Sequence, residues 1–217
     1  MKKLAFLFLI ASLFGDCSGV QKTLNGDEWM FKSIERLDDF NPLMEPDGRS
    51  EYYCPVRKKR VDWEERSVFN PTAVVKDGRV WMLYRAQDQH GTSRIGIANS
   101  RNGLDFRKNS LPVLRPENDP MKDIEWEGGC EDPRVVQRED GLYVMTYTAY
   151  DKKVARLCLA SSRDLLTWEK HGQVLSDRKY RDLWSKSGAI VCERDGNQII
   201  AKKVRGKYWM YWGDTDL

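Results

Sequence analysis

Histidine is nearly missing from this chain, with two in 217 residues, and cysteine is sparse, with five. Cys17, Cys54, Cys130, Cys158 and Cys192 form no Cys-x-x-Cys pair, and His90 and His171 stand apart from them. A structural zinc ion wants paired thiolates or imidazoles at short spacing, so a metal site is not expected. Cys158 and Cys192 lie in apolar strand-like runs and read as buried free thiols. An excess of one charge is lacking too: 36 Lys and Arg face 33 Asp and Glu, a net of +3. Nucleic-acid binders usually show a basic stripe, and that class is excluded. No apolar run reaches the roughly 18 residues of a membrane-spanning helix. Aromatics, by contrast, are plentiful, with 8 Trp, 9 Tyr and 7 Phe, and 41% of residues are hydrophobic. That composition excludes an acidic disordered chain and can build a core. The length suits one ordinary domain or two small ones.

The first residues form a segment of their own. Lys2 and Lys3 precede a nearly apolar run from Leu4 to Phe14, the layout of a signal peptide over residues 1–17. Cys17 stands where a lipoprotein signal carries its cysteine, but Asp16 fills a place expected to be small. Lipidation at Cys17 and ordinary cleavage both stay open. Either one predicts export, to the periplasm or the outer surface. Residues 18–66 are polar and rich in charge, with turn signals at Asn41-Pro42 and Pro46-Asp47-Gly48. They read as an irregular leader wrapped on the domain.

From residue 67 to 217 short apolar runs alternate with turns, which predicts an all-β domain. Ala73-Val74-Val75, Asp77-Gly78 and Val80-Trp81-Met82-Leu83-Tyr84 spell a hairpin with an Asp-Gly turn. The pattern then repeats. Met82 to Ala86 matches Met145 to Ala149, and Asp77-Gly78 matches Asp140-Gly141, both 63 positions on. Arg94 to Arg101 matches Arg156 to Arg163, and Phe106 and Lys108 match Trp168 and Lys170, 62 positions on. A third copy begins at Lys186-Ser187-Gly188-Ala189-Ile190 and runs through Lys207 to Trp212. A recurring group of short strands is the mark of a β-propeller blade. A ring needs at least about four blades, so about three are present and the domain is expected to be incomplete at its C-terminus.

Polar residues recur where each copy opens: Asn70-Pro71, Glu131-Asp132-Pro133-Arg134 and Lys186-Ser187-Gly188. Innermost strands of a propeller line its funnel, so these groups converge. Two adjacent carboxylates beside an arginine are costly to bury unless paired, and such a setting can shift a carboxyl pKa for acid chemistry. Trp126, Trp184 and Trp212 could stack on a ring-shaped ligand, though blade cores also use tryptophan.

Phe69-Asn70-Pro71, Leu83-Tyr84-Arg85-Ala86, Glu131-Asp132-Pro133-Arg134, Thr146-Tyr147-Thr148-Ala149-Tyr150 and Lys186-Ser187-Gly188-Ala189, in this order and spacing, resemble glycoside hydrolase family 130. The resemblance implies a five-bladed propeller acting on β-mannosides, either as a phosphorylase or as a β-1,2-mannosidase. It implies that Asp132 is the acid that protonates the glycosidic oxygen, and that Asn70 and Arg85 hold the sugar beside it. Glu131, Arg134 and Lys186 fall in matching motifs and are expected to bind substrate. No cofactor is implied, and inorganic phosphate would be a co-substrate only in a phosphorylase. The expected partner is an oligosaccharide, and the oligomeric state is left open.

Inverting hydrolysis pairs an acid with a base carboxylate about 6.5–9.5 Å away, whereas a phosphorylase replaces that base with phosphate. An exported enzyme meets little phosphate, and Asp151-Lys152-Lys153 after Tyr150 offers no evident phosphate contact. Both points favour hydrolysis of β-mannosides. A catalytically inactive sugar-binding remnant is the alternative of another class. A five-bladed glycosidase acting on arabinosides is a third, against which the Glu-Asp-Pro-Arg and Lys-Ser-Gly-Ala motifs argue.

Overall fold

A computed structural model describes residues 36–213 of the chain. The expected signal segment and Cys17 lie outside them. The chain divides into two compact units, Met1–Pro42 and Leu43–Leu217. In the first, the described structure is one 3-10 turn, Asp38–Phe40.

The second unit opens with a hairpin of β1 (Asp47–Cys54) and β2 (Lys59–Glu64). Residues 47–54 and 59–64 are therefore strand and not irregular leader. Tyr52, Cys54, Val61 and Trp63 turn inward, and the Trp63 ring stacks on Tyr84 at 6.3 Å between centroids. The alternation is present in the sequence, but outward Glu, Lys, Arg and Asp residues disguise it as a charged stretch.

The first blade is antiparallel: β3 (Ser67–Lys76), β4 (Arg79–Gln87), β5 (Ser93–Ser100) and the short β6 (Arg107–Lys108). Asp77 and Gly78 both have positive φ, 51° and 67°, which is the primed turn an Asp-Gly hairpin favours. After one helical turn, α1 (Lys122–Glu125), the second blade repeats the plan as β7 (Gly129–Gln137), β8 (Tyr143–Tyr150), β9 (Ala155–Ser162) and β10 (Glu169–Gln173). The third copy is less regular. Its β11 (Lys186–Ile190) pairs with β16 (Met210–Gly213). Between them lie the hairpins β12 (Cys192–Asp195) with β13 (Gln198–Ala201), and β14 (Lys203–Val204) with β15 (Lys207–Tyr208).

The repeat extends to side-chain bonding. In the first blade the Tyr84 hydroxyl donates to the fully buried Glu64 at 3.0 Å, and Lys108 Nζ lies 3.2 Å from the same carboxylate. In the second, Tyr147 donates to the fully buried Glu125 at 2.9 Å, and Lys170 Nζ lies 2.6 Å from it. Arg94 pairs with Asp88 at 2.9 Å as Arg156 pairs with Asp151 at 2.8 Å. Glu64 and Glu125 thus each have a cation and a hydroxyl, the condition under which burying a carboxylate is tolerable.

The largest core cluster spans both blades, from Val74, Leu83, Ile95 and Ile97 to Val135, Met145, Tyr147 and Leu165. The backbones touch at one parallel bridge, Ser93 to Gly129. There Ser93 N–H donates to Gly128 O at 2.7 Å. Gly129 has φ of 105°, and a Cβ on it would sit 2.1 Å from Ser93 O, so only glycine fits. Cys54, Cys130 and Cys158 are buried and free. Cys192 is exposed, contrary to the expectation for its apolar run, because all four residues of β12 face solvent.

Candidate active site

Each blade's first strand carries a bulge near its start. The register shifts between Phe69 and Thr72 in β3, between Glu131 and Arg134 in β7, and between Lys186 and Ala189 in β11. In each bulge one non-glycine residue takes a left-handed φ: Asn70 at 48°, Asp132 at 49° and Ser187 at 58°. Asn and Asp tolerate that conformation better than most residues, and bulges re-aim side chains beside functional sites. Pro71 and Pro133 follow, where the interrupted ladder needs no N–H. Within Lys186-Ser187-Gly188 it is therefore Ser187 that stands in the place of Asn70 and Asp132.

The first two bulges meet. Asn70 Nδ2 donates to Asp132 Oδ1 at 2.7 Å, and Arg85 Nη1 donates to the same oxygen at 3.1 Å. The other arm of the guanidinium, Arg85 Nη2, donates to Glu131 Oε1 at 2.5 Å. One cation thus serves two carboxyl groups. The Arg85 guanidinium also lies 4.6 Å over the Phe69 ring, which fixes its plane. The bonds from Asn70 and Arg85 to Asp132 both go to Oδ1, and Asp132 Oδ2 receives neither.

The carboxylates differ in setting. The Glu131 side chain is 12% exposed and that of Asp132 is 26% exposed. Burial pushes the Glu131 carboxyl above its ordinary range; Arg85 pulls it back, and the neighbouring Asp132 charge pushes it up again.

Four of the residues singled out from sequence, Asn70, Arg85, Glu131 and Asp132, thus share one hydrogen-bonded group. Arg134 has an exposed side chain and makes none of these bonds. Lys186 takes the register place of Phe69 and Glu131, and its ammonium lies 5.6 Å over the Trp184 ring. Trp184 is 40% exposed and tilts against Tyr150 at 6.1 Å. Trp126 is half-buried under the Arg57 guanidinium at 4.9 Å.

Two residues of the site escaped the sequence reading. Ser93, fully buried, accepts from Arg85 Nε at 3.0 Å and from Gln87 Nε2 at 3.2 Å, and donates to Glu131 Oε1 at 3.1 Å. The repeat held the signal: the second blade has Ala155 and Tyr150 where the first has Ser93 and Gln87. A polar residue in place of an apolar one at a buried strand start marks a local duty.

The family model described as beta-1,4-mannooligosaccharide phosphorylase, that of glycoside hydrolase family 130, matches residues 38–217. A 1,2-beta-oligomannan phosphorylase of a Thermoanaerobacter species is 31% identical over 187 residues, which is 82% of this chain and 52% of that protein. A solved structure of a glycoside hydrolase from Bacteroides ovatus is 48% identical, with a TM-score of 0.81, over 85% of this chain and 55% of its own. Another solved chain comes from work on glycoside hydrolases of the family that target beta-1,2 mannosidic linkages in Candida mannan. It is 42% identical, with a TM-score of 0.82, over 86% of this chain and 54% of its own. The chain spans about half the length of these relatives. Its blades are part of a five-bladed propeller.

Proposed function

Since the chain belongs to glycoside hydrolase family 130, we propose that it forms part of an exported enzyme that hydrolyses β-mannosides, with Asp132 as the acid. The observation that carries this reading is the grip on Asp132: Asn70 and Arg85 both bond Oδ1 and leave Oδ2 to hold the proton.

In the reaction, Asp132 gives its proton to the departing glycosidic oxygen, directly or through a hydroxyl of the bound sugar. The bond from that oxygen to the anomeric carbon breaks. Water attacks the opposite face, loses its proton to a base, and the configuration inverts. Glu131 shares Arg85 with Asp132 and so lies on the acid's own side. Its duty is to hold Arg85, not to serve as the opposing base. Asn70 and Arg85 bind hydroxyls of the sugar next to the broken bond.

Support for hydrolysis comes from the 42%-identical relative and from the signal-like residues 1–17. Phosphorolysis is the second reading, favoured by the description of the family model and by the Thermoanaerobacter relative. Anomer-resolved NMR of a β-1,2-mannobiose digest separates the two. Hydrolysis gives α-mannose with no phosphate present; phosphorolysis gives mannose 1-phosphate and stops when phosphate is withheld. Export is tested by fractionation. Loss of Cys17→Ser from the membrane pellet supports lipidation, and a soluble cleaved form that retains Cys17 excludes it.

A further inference from the structure

The end of the first blade remote from Asp132 carries a second concentration of charge. Arg79 opens β4, Arg101 follows β5 and Arg107 opens β6; with Asn99, Asn102 and Asp105 they line a surface recess of about 380 Å³. Arg79 and Arg85 are six residues apart on β4, which puts the recess roughly 20 Å from the candidate active site.

None of the three guanidiniums is neutralised by a carboxylate among the described residues. Arg79 Nη1 donates to a neutral group, Asn99 Oδ1, at 3.0 Å. Asp105 is engaged by a neighbour in the recess, its Oδ2 accepting from Asn102 Nδ2 at 2.8 Å. Counting Asp105, the recess holds an excess of two positive charges.

The second blade is the internal control. By strand register Leu142, Arg163 and Glu169 occupy the places of Arg79, Arg101 and Arg107. Arg163 is tied down there, donating to Asp140 O at 2.8 Å. The same fold is therefore built with an apolar, a bonded and an oppositely charged residue. Blade packing does not require the three arginines of the first.

We infer that this recess binds a phosphate group. Guanidinium forks match the oxygens of phosphate and carboxylate alike. Three forks around one recess match a tetrahedral dianion, whereas a carboxylate offers two oxygens and one charge. The group comes either as free phosphate or as a lipid headgroup.

Calorimetric titration of inorganic phosphate into the purified chain, at low salt, tests this. Saturable binding is expected, weakening as salt screens it. The double variant Arg79→Leu, Arg107→Glu carries the residues of the second blade and should lose affinity by at least about tenfold. If that variant fails to fold, Arg107→Gln alone makes the same comparison. Sedimentation with vesicles of phosphatidylglycerol in phosphatidylcholine, against phosphatidylcholine alone, tells a headgroup from the free ion. Phosphate binding that the variants leave unchanged sits at another site and overturns the inference. So does failure of both probes to bind.

Discussion

Asp132 and Glu131 are adjacent in sequence, yet one lies at the tip of a bulge and the other under Arg85 and Ser93. Their substitutions should separate accordingly. Asp132→Asn keeps an oxygen for Asn70 and Arg85 but has no proton to give, and its rate should fall about 10²–10⁴-fold. An aryl mannoside with a good leaving group needs less protonation and should lose less; equal loss on both substrates would make Asp132 a sugar ligand. Glu131 holds its proton to higher pH when folded, so folding takes up a proton there. Its stabilising share is present below the ordinary carboxylate range and lost as pH rises through the raised value. Glu131→Gln stays neutral, so its Tm should gain on the wild type as pH climbs from about 4 to about 7. Calorimetry across that range checks the trend. The grouping of Asn70, Arg85, Glu131 and Asp132 was legible because a paired motif and a family resemblance marked them. Ser93 was not, because a lone serine at a strand start looks like any turn residue until its three partners are known.

Strands and turns were the most legible layer, since hydrophobic alternation and Asp-Gly turns depend on neighbours in sequence. The β1–β2 hairpin was not, since its outward residues are charged and its inward ones pack on Tyr84, far along the chain. Two element-level predictions follow from contacts that sequence cannot display. Gly129→Ala forces a Cβ onto Ser93 O at a φ that L residues avoid, and should cost roughly 2–5 kcal/mol. Urea denaturation measures it, and a loss below 1 kcal/mol would show that the bridge relaxes at small cost. Lys170→Met removes the cation from the fully buried Glu125 and should cost about 3–5 kcal/mol at neutral pH. A double variant that also carries Glu125→Leu should recover much of that loss, since no buried charge is then left alone.

At the scale of the whole molecule, the third copy presents more apolar surface than the first two. Tyr211 is 74% exposed, Trp209 53%, Val204 44%, Ile199 43% and Tyr208 40%. Surface of that kind marks contact with other protein. The purified chain should self-associate as concentration rises, and Tyr211→Lys with Trp209→Lys should move it toward monomer in sedimentation velocity. A monomer at every concentration would refute this. The first two blades are joined differently. Their backbone bridge and the ion pairs of Arg85 with Glu131 and Asp132 lie at the end where Asn70, Arg85, Ser93 and Asp132 meet. Elsewhere they share mainly apolar contact, which has no direction. The arrangement is that of a hand fan, riveted at one end by polar bonds and held elsewhere by apolar packing. The residues that would grip a sugar are the rivet.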